Sequence, residues 1–212
     1  MNKIILEVPY SEKNDAKALG ARWDAKEKTW FITTETNPGP FKRWLSQATI
    51  YEVKNSITPI FIITSYSNCW KCKRESKVFG IASSGYIYKG ERRSRFTVYK
   101  NVENVSSEIE ELLAEAYPSY RMDYSNTTKT SYFINHCEFC DAKMGDFFLH
   151  EEADCAFAPM SINRAKQAKL TTLISGSEDS MVFGSFYRPF PYYIEKYAHR
   201  DKKSIFRRLF SS

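Results

Sequence analysis

The sequence predicts an α+β protein: a small N-terminal β-α-β-β-α domain over residues 1–47, then a larger strand-rich domain over residues 48–212 that closes on a C-terminal helix. Three observations carry that prediction. The first fifty residues alternate short apolar runs with turn residues, at lengths suited to strands and short helices. The rest is dominated by β-branched and aromatic runs, and aromatics make up 16% of the chain, which suits pleated, half-buried surfaces. Last, two Cys-x-x-Cys pairs sit between extended runs so far apart that they meet only after the middle of the chain has folded.

In order, Ile4 to Val8 reads as a strand closed by Pro9, and Ser11 offers a hydroxyl to cap a helix over Asp15–Leu19 that Gly20 ends. Arg22-Trp23-Asp24 is extended, Asp24 to Lys28 is a polar turn in which Asp24 satisfies backbone donors, and Thr29 to Ile32 returns as a strand. After a loop at Asn37-Pro38-Gly39-Pro40, Phe41, Trp44 and Leu45 share one face of a closing helix. Trp23, Trp30 and Trp44, with Leu19 and Phe41, are expected to form the core, because so small a unit has little else to bury. Lys13, Lys17, Arg22, Lys26 and Lys28 read either as a solvated face or as one edge that meets phosphates.

These residues carry a resemblance. Leu6-Glu7-Val8-Pro9-Tyr10, Glu12-Lys13, Ala16 through Asp24, Lys28-x-Trp30-Phe31 and Phe41-x-x-Trp44-Leu45 closely resemble a small bacterial domain of unknown function. That domain is appended to plasmid TraC-type primases and to other mobile-element proteins that handle DNA. A looser likeness is to the HARP domain of annealing helicases. The resemblance implies a link to mobile elements and to nucleic acid, with DNA the expected partner.

The larger domain is organised by Cys69-Trp70-Lys71-Cys72 and Cys137-Glu138-Phe139-Cys140. Strands are expected over Thr49–Val53, Ile57–Thr64, Ser76–Ala82 and Tyr132–Ile134, with Gly145 to His150 leading out of the second pair in extended form. Two thiolate pairs framed in this way are the sequence form of a tetrahedral, four-thiolate zinc site, closed and therefore structural. A redox pair would need a βαβ setting that neither motif has. His136 could replace one cysteine, but a solvent-facing histidine is the expectation, and His150 and Cys155 are expected in structural roles. The segment, with Asn135-x-Cys137-x-x-Cys140 and Gly145 through Glu151, is similar to a zinc-ribbon module that follows the small domain in its family. The resemblance implies Zn²⁺.

Between the pairs, Arg92, Arg93 and Arg95 form a basic turn, and Ser107 with Glu110 reads as a capping box for a helix that Pro118 ends. Glu108, Glu110, Glu111 and Glu115 make that helix acidic, a poor DNA surface and a fair protein contact. A short helix is expected within Pro159–Gly176 and an aromatic strand or loop over Met181–Pro191. Tyr192 to Phe210 reads as an amphipathic helix whose Arg200, Lys202, Lys203, Arg207 and Arg208 give a basic face, for nucleic acid or for solvent.

Bulk properties narrow the function. At 212 residues, 42% hydrophobic and 26% charged, the chain can bury one medium core plus a small second one. Net charge is +6, which leans toward a polyanionic partner. No apolar run approaches the roughly 20 residues of a membrane span, and no secretory leader core follows Met1. Five cysteines, four of them in knuckles, fit a reducing cytoplasm. Phosphate-loop, zinc-protease and hydrolase motifs are absent, so the expectation is a non-catalytic nucleic-acid-binding protein. The competing expectation is a protein-interaction module such as an adaptor, inhibitor or immunity protein, with the same structural zinc.

Overall fold

The computed structural model describes residues 3–33, 36, 39–44, 51–53, 55–88, 91–152, 154–175, 182–186 and 191–201. Helices and extensive sheet are combined, as an α+β class requires.

Near the N-terminus, β1 (Lys3–Leu6), α1 (Lys13–Ala18), β2 (Arg22–Asp24) and β3 (Thr29–Thr33) are followed by a 3₁₀ turn over Gly39–Trp44. The strands form an antiparallel sheet in the order β1-β3-β2. Leu6, Ala16, Ala21, Ile32, Phe41 and Trp44 make a core of their own under it, with Trp30 packed on the side. Two of the expected core residues do not belong to it. Trp23 is 51% exposed and Leu19 46% exposed, because β2 is an edge strand and Leu19 follows the last turn of α1. Ser11 is not the helix cap either: it lies in a 3₁₀ turn, Tyr10–Glu12, and the helix starts without a side-chain cap. Gly20 does end the helix, at φ 100°, and Asp24 does accept from the N–H groups of Lys26 and Glu27 at 3.0 and 3.1 Å. Leu45 and the Asn37-Pro38 step lie outside the described residues.

The next elements are β4 (Tyr51–Val53), β5 (Asn55–Asn68), β6 (Glu75–Tyr88), β7 (Glu91–Arg93), β8 (Thr97–Val105) and α2 (Ser107–Ala116). Then come β9 (Tyr120–Ser125), β10 (Thr130–His136), β11 (Lys143–Met144), a π-helical turn over Phe147–Glu151 and α3 (Ile162–Ala165). The described chain ends with β12 (Lys169–Ile174), β13 (Val182–Phe186), α4 (Pro191–Tyr197) and β14 (His199–Arg200). The large sheet runs β14-β12-β5-β6-β8-β13-β4, with β7 paired to β6, and a three-stranded sheet runs β11-β10-β9.

The long β5–β6 hairpin is covered on both faces, which explains the unbroken Ile60-Phe61-Ile62-Ile63 run. Ile60, Ile62, Phe79 and Ile81 face a core completed by Ile109 and Leu113 of α2 and by Tyr120 and Phe133 of β9 and β10. Phe61, Ile63, Val78 and Ala82 face a second core with Leu149, Phe157, Leu170 and Ile194. Pro59, which has no N–H to give a ladder, falls where the β5–β6 register shifts between Ile57 and Ile60.

Three other expectations are corrected. Gly145 to His150 is not extended: after β11 the chain coils into the π-helical turn, because Leu149 and His150 must both reach the interior. The expected terminal helix stops at Tyr197, and His199 and Arg200 pair in parallel with Lys169 and Leu170 of β12. The short helix expected within Pro159–Gly176 is present as α3, and β12 follows it. The acidic helix starts where expected, but Ser106, not Ser107, is its N-cap, and the Ser106 hydroxyl makes no cap bond.

Candidate metal centre

The first knuckle is the turn of the β5–β6 hairpin, and the second is the turn between β10 and β11. Their backbones match position by position. In one, the Cys69 N–H donates to the Arg74 carbonyl and the Lys73 N–H to the Cys69 carbonyl, each at 2.9 Å. In the other, the Cys137 N–H donates to the Ala142 carbonyl at 2.9 Å and the Asp141 N–H to the Cys137 carbonyl at 3.0 Å. The residue after the second cysteine is left-handed in both, Lys73 at φ 62° and Asp141 at φ 56°.

The two turns face each other so that the sulfurs of Cys69, Cys72, Cys137 and Cys140 lie within 4.8 Å of one another. Across the gap, the Sγ–Sγ distance is 3.7 Å for Cys69–Cys140 and 3.6 Å for Cys72–Cys137. A disulfide needs about 2.0 Å, so these are free thiols. A tetrahedral ion with bonds of about 2.3 Å to sulfur spaces its ligands by about 3.8 Å, and the cluster fits that spacing. The four cysteines can therefore hold a metal ion, and among the described residues they form the one such group of cysteine, histidine and carboxylate ligands.

Electrostatics point the same way. Burial pushes the Cys137 thiol up, but the N–H groups of Phe139 and Cys140 and the thiols of Cys72 and Cys69 outweigh it and bring it to about 6. The Ala142 N–H holds Cys140 down, but burial and the other three thiols push it up to about 11. One thiolate forms readily in this cluster and the last only at a high cost, unless a cation balances the charge.

Long-range polar contacts fix the two hairpins. The Asn135 side chain acts as a strand partner for Phe79, accepting its N–H at 2.6 Å and donating to its carbonyl at 2.8 Å. Glu138 accepts from the Lys77 N–H at 2.9 Å, and its own N–H donates to the Ser76 hydroxyl at 3.0 Å. The Trp70 indole N–H donates to the Lys143 carbonyl at 2.8 Å, and the Arg74 guanidinium lies 3.5 Å from the Phe139 ring centre.

The histidines are not ligands. His136 is 1% exposed rather than solvent-facing: its Nδ1 lies 3.0 Å from the Ile134 carbonyl and its Nε2 2.9 Å from Asp123. The hydrogen bond from His136, then that from Lys143, holds the Asp123 carboxyl down at about 2. His150 is buried against the Phe157 ring, 4.8 Å between centres. Its neighbours form a buried polar group that the sequence did not announce. Asp146 accepts the Asn101 N–H at 2.6 Å, Lys100 donates to Glu151 at 2.5 Å, and His150 Nε2 is 3.8 Å from Asp146. Burial pushes the Asp146 carboxyl up to about 7 and His150 down to about 3. Asp141 accepts from Arg121 at 2.8 and 2.9 Å, and Asp154 accepts the Met160 N–H at 2.7 Å.

The basic candidates are spread over several elements. Lys17, Arg22, Lys26 and Lys28 are exposed on α1 and on the β2–β3 hairpin, while Lys13 sits 3.7 Å from the Tyr10 ring centre. Arg200 is exposed on β14 and donates to the Glu195 carbonyl at 2.9 Å. Lys202, Lys203, Arg207 and Arg208 lie outside the described residues. Among the described residues no helix is long and apolar enough to cross a membrane.

Comparison with known proteins bears on the N-terminal segment alone. Two DNA primases TraC of Escherichia coli are similar to it, one 49% identical over 39 residues and the other 44% identical over 43 residues. Those stretches are 18% and 20% of this chain and 4% and 3% of the respective primases, so the chain spans a small fraction of their length. No solved structure matches the chain. The family described as "Domain of unknown function (DUF5710)" matches residues 3–46, and this segment, with its three-stranded sheet and tryptophan-containing core, is a DUF5710 domain.

Proposed function

We propose that the chain is a non-catalytic nucleic-acid-binding protein of mobile-element type, held together by a structural Zn²⁺ on Cys69, Cys72, Cys137 and Cys140. The observation that carries the metal is the four-sulfur cluster, which leaves no open ligand position. The ion would supply charge balance and a crosslink between two hairpins 65 or more residues apart in sequence. In this reading residues 1–47 and 48–212 are separate domains, the second is of zinc-ribbon type, and the protein works in a reducing, cytoplasmic setting.

The link to nucleic acid, with DNA the preferred partner, is supported by the similarity of residues 3–46 to segments of DNA primases. Lys13, Lys17, Arg22, Lys26 and Lys28 would contact phosphates from the first domain, and Arg200, Lys202, Lys203, Arg207 and Arg208 from the C-terminal end. A protein-interaction module is the competing reading, favoured by the exposed Glu108, Glu110, Glu111 and Glu115 of α2. Titration of labelled single-stranded, duplex and forked DNA at two salt concentrations separates them. Binding that weakens steeply with salt supports the proposal. No binding at low salt by a zinc-replete chain refutes it and leaves the protein-interaction reading.

A further inference from the structure

Beside the first knuckle lies a cleft of about 850 Å³, within the range of about 300–1,000 Å³ usual for ligand sites. Trp70 and Phe148 stand at it with 63% of their surface exposed, and Tyr66 with 36%. Large aromatics left this open on one concavity are unusual unless something stacks on them. Trp70 is also held in place, since its indole N–H is bonded to the Lys143 carbonyl.

The charges are sorted. Inside the cleft, both cations are engaged: Lys143 with Asp123 at 3.0 Å and the Tyr124 carbonyl at 2.8 Å, Arg164 with the Tyr66 carbonyl at 2.7 Å and Gln167 at 2.5 Å. Glu75 and Glu152, which also line it, have no ion-pair partner among the described residues. The exposed amides of Asn68 and Asn126 complete a lining rich in acceptors. Outside the lining, Lys71 and Lys73 flank Cys72 in the knuckle, exposed and with no side-chain partner among the described residues. A phosphate is repelled by the interior and attracted to the rim. An unpaired base that carries an exocyclic amino group suits both, its ring on the aromatics and its N–H groups on carboxylate and amide oxygens.

We propose that this cleft takes an unpaired, amino-bearing nucleobase of a single strand, with Lys71 and Lys73 holding the flanking phosphates. The inference rests on the nucleic-acid reading above and specifies its strand type and surface. The test uses the full-length, zinc-replete chain with labelled oligoadenosine, oligocytidine and oligothymidine of equal length, and Trp70→Ala, Trp70→Phe, Phe148→Ala and the double variant Glu75→Gln/Glu152→Gln. The expectation is preference for the amino-bearing strands, loss of about tenfold in affinity for each alanine variant, retention in Trp70→Phe, and reduced base discrimination in the double variant. Unchanged melting temperature and zinc content separate these effects from misfolding, and Phe148→Ala, which breaks no hydrogen bond found here, stands if Trp70→Ala unfolds. Wild-type affinity in both alanine variants places binding elsewhere and overturns the cleft, leaving the nucleic-acid reading intact. Failure of the wild type to bind any of these single strands at low salt overturns the cleft, and failure to bind duplex and forked DNA as well overturns both. Trp70-dependent capture of oligolysine that DNA does not compete for makes the occupant a cationic peptide, and also overturns the proposal.

Discussion

Lys73 and Asp141 hold the same left-handed position in the two knuckles, one supported and the other not. The Asp141 side chain is tied to Arg121 by two oxygens, whereas the Lys73 side chain has no partner among the described residues. A non-glycine residue pays about 1–2 kcal/mol in that conformation, and glycine loses about 0.5–1 kcal/mol in chain entropy. Lys73→Gly should therefore stabilise the fold by up to about 1 kcal/mol in thermal melts without changing metal content, and a lower melting temperature would contradict this. Asp146 and His150 give a pH prediction of opposite signs. Folded Asp146 keeps a proton up to about pH 7 that the unfolded chain releases near 3.8, so its contribution falls as pH rises between them. Folded His150 refuses, down to about pH 3, a proton that the unfolded chain takes below 6.5, so its contribution falls as pH drops. From about pH 4 to 6.5 the two cancel. Relative to wild type, Asp146→Asn should lose stability on acidification across that window, by at most about 1.4 kcal/mol per pH unit, and His150→Phe should gain it. Parallel pH profiles in denaturant melts would contradict the pairing. At this scale the sequence was only partly legible: spacing marked the cysteines, but nothing local distinguished exposed Trp23 from buried Trp44, since edge position and not residue type decides.

The knuckle hairpins depend on contacts that sequence distance hides. Asn135 and Phe79 are 56 positions apart, and the amide bonds both backbone groups of a strand residue. Asn135→Ala leaves a buried N–H and carbonyl without partners, each worth about 1–3 kcal/mol. Denaturant melts should show a loss of several kcal/mol, whereas a change under about 0.5 kcal/mol would mean that the bonds are replaced by water. A second element-scale prediction concerns β6 and β7. A methyl group on Gly85 would lie 2.4 Å from the Arg93 carbonyl oxygen. Gly85→Ala should release β7 from β6, raising hydrogen exchange at residues 86–88 and 91–93 with the metal site retained. Unaltered protection there would contradict it. The hairpin knuckles could be read from sequence because strand, turn and thiols are contiguous, and so could the helix carrying Ile109, Leu112 and Leu113 by its period. The π-helical turn and the β14 pairing could not, because each is set by tertiary partners: the interior that receives Leu149 and His150, and the open edge of β12.

At the scale of the whole molecule, three cores are organised separately, and the one between the knuckles and Phe157 includes Cys69 and Cys137 themselves. With an ion bound there, its removal would leave four clustered thiols facing one another across that core, so metal binding and stability would be coupled. The small N-terminal core contains no knuckle residue and should keep its protection from exchange when the metal is stripped. The most direct test of the account is elemental analysis of the purified full-length chain combined with melting before and after a strong chelator. One zinc per chain, lost in a Cys72→Ser/Cys140→Ser variant, with a lower melting temperature on stripping, is the predicted result. A chain that purifies metal-free, takes up no zinc and melts at the same temperature with or without chelator would contradict it.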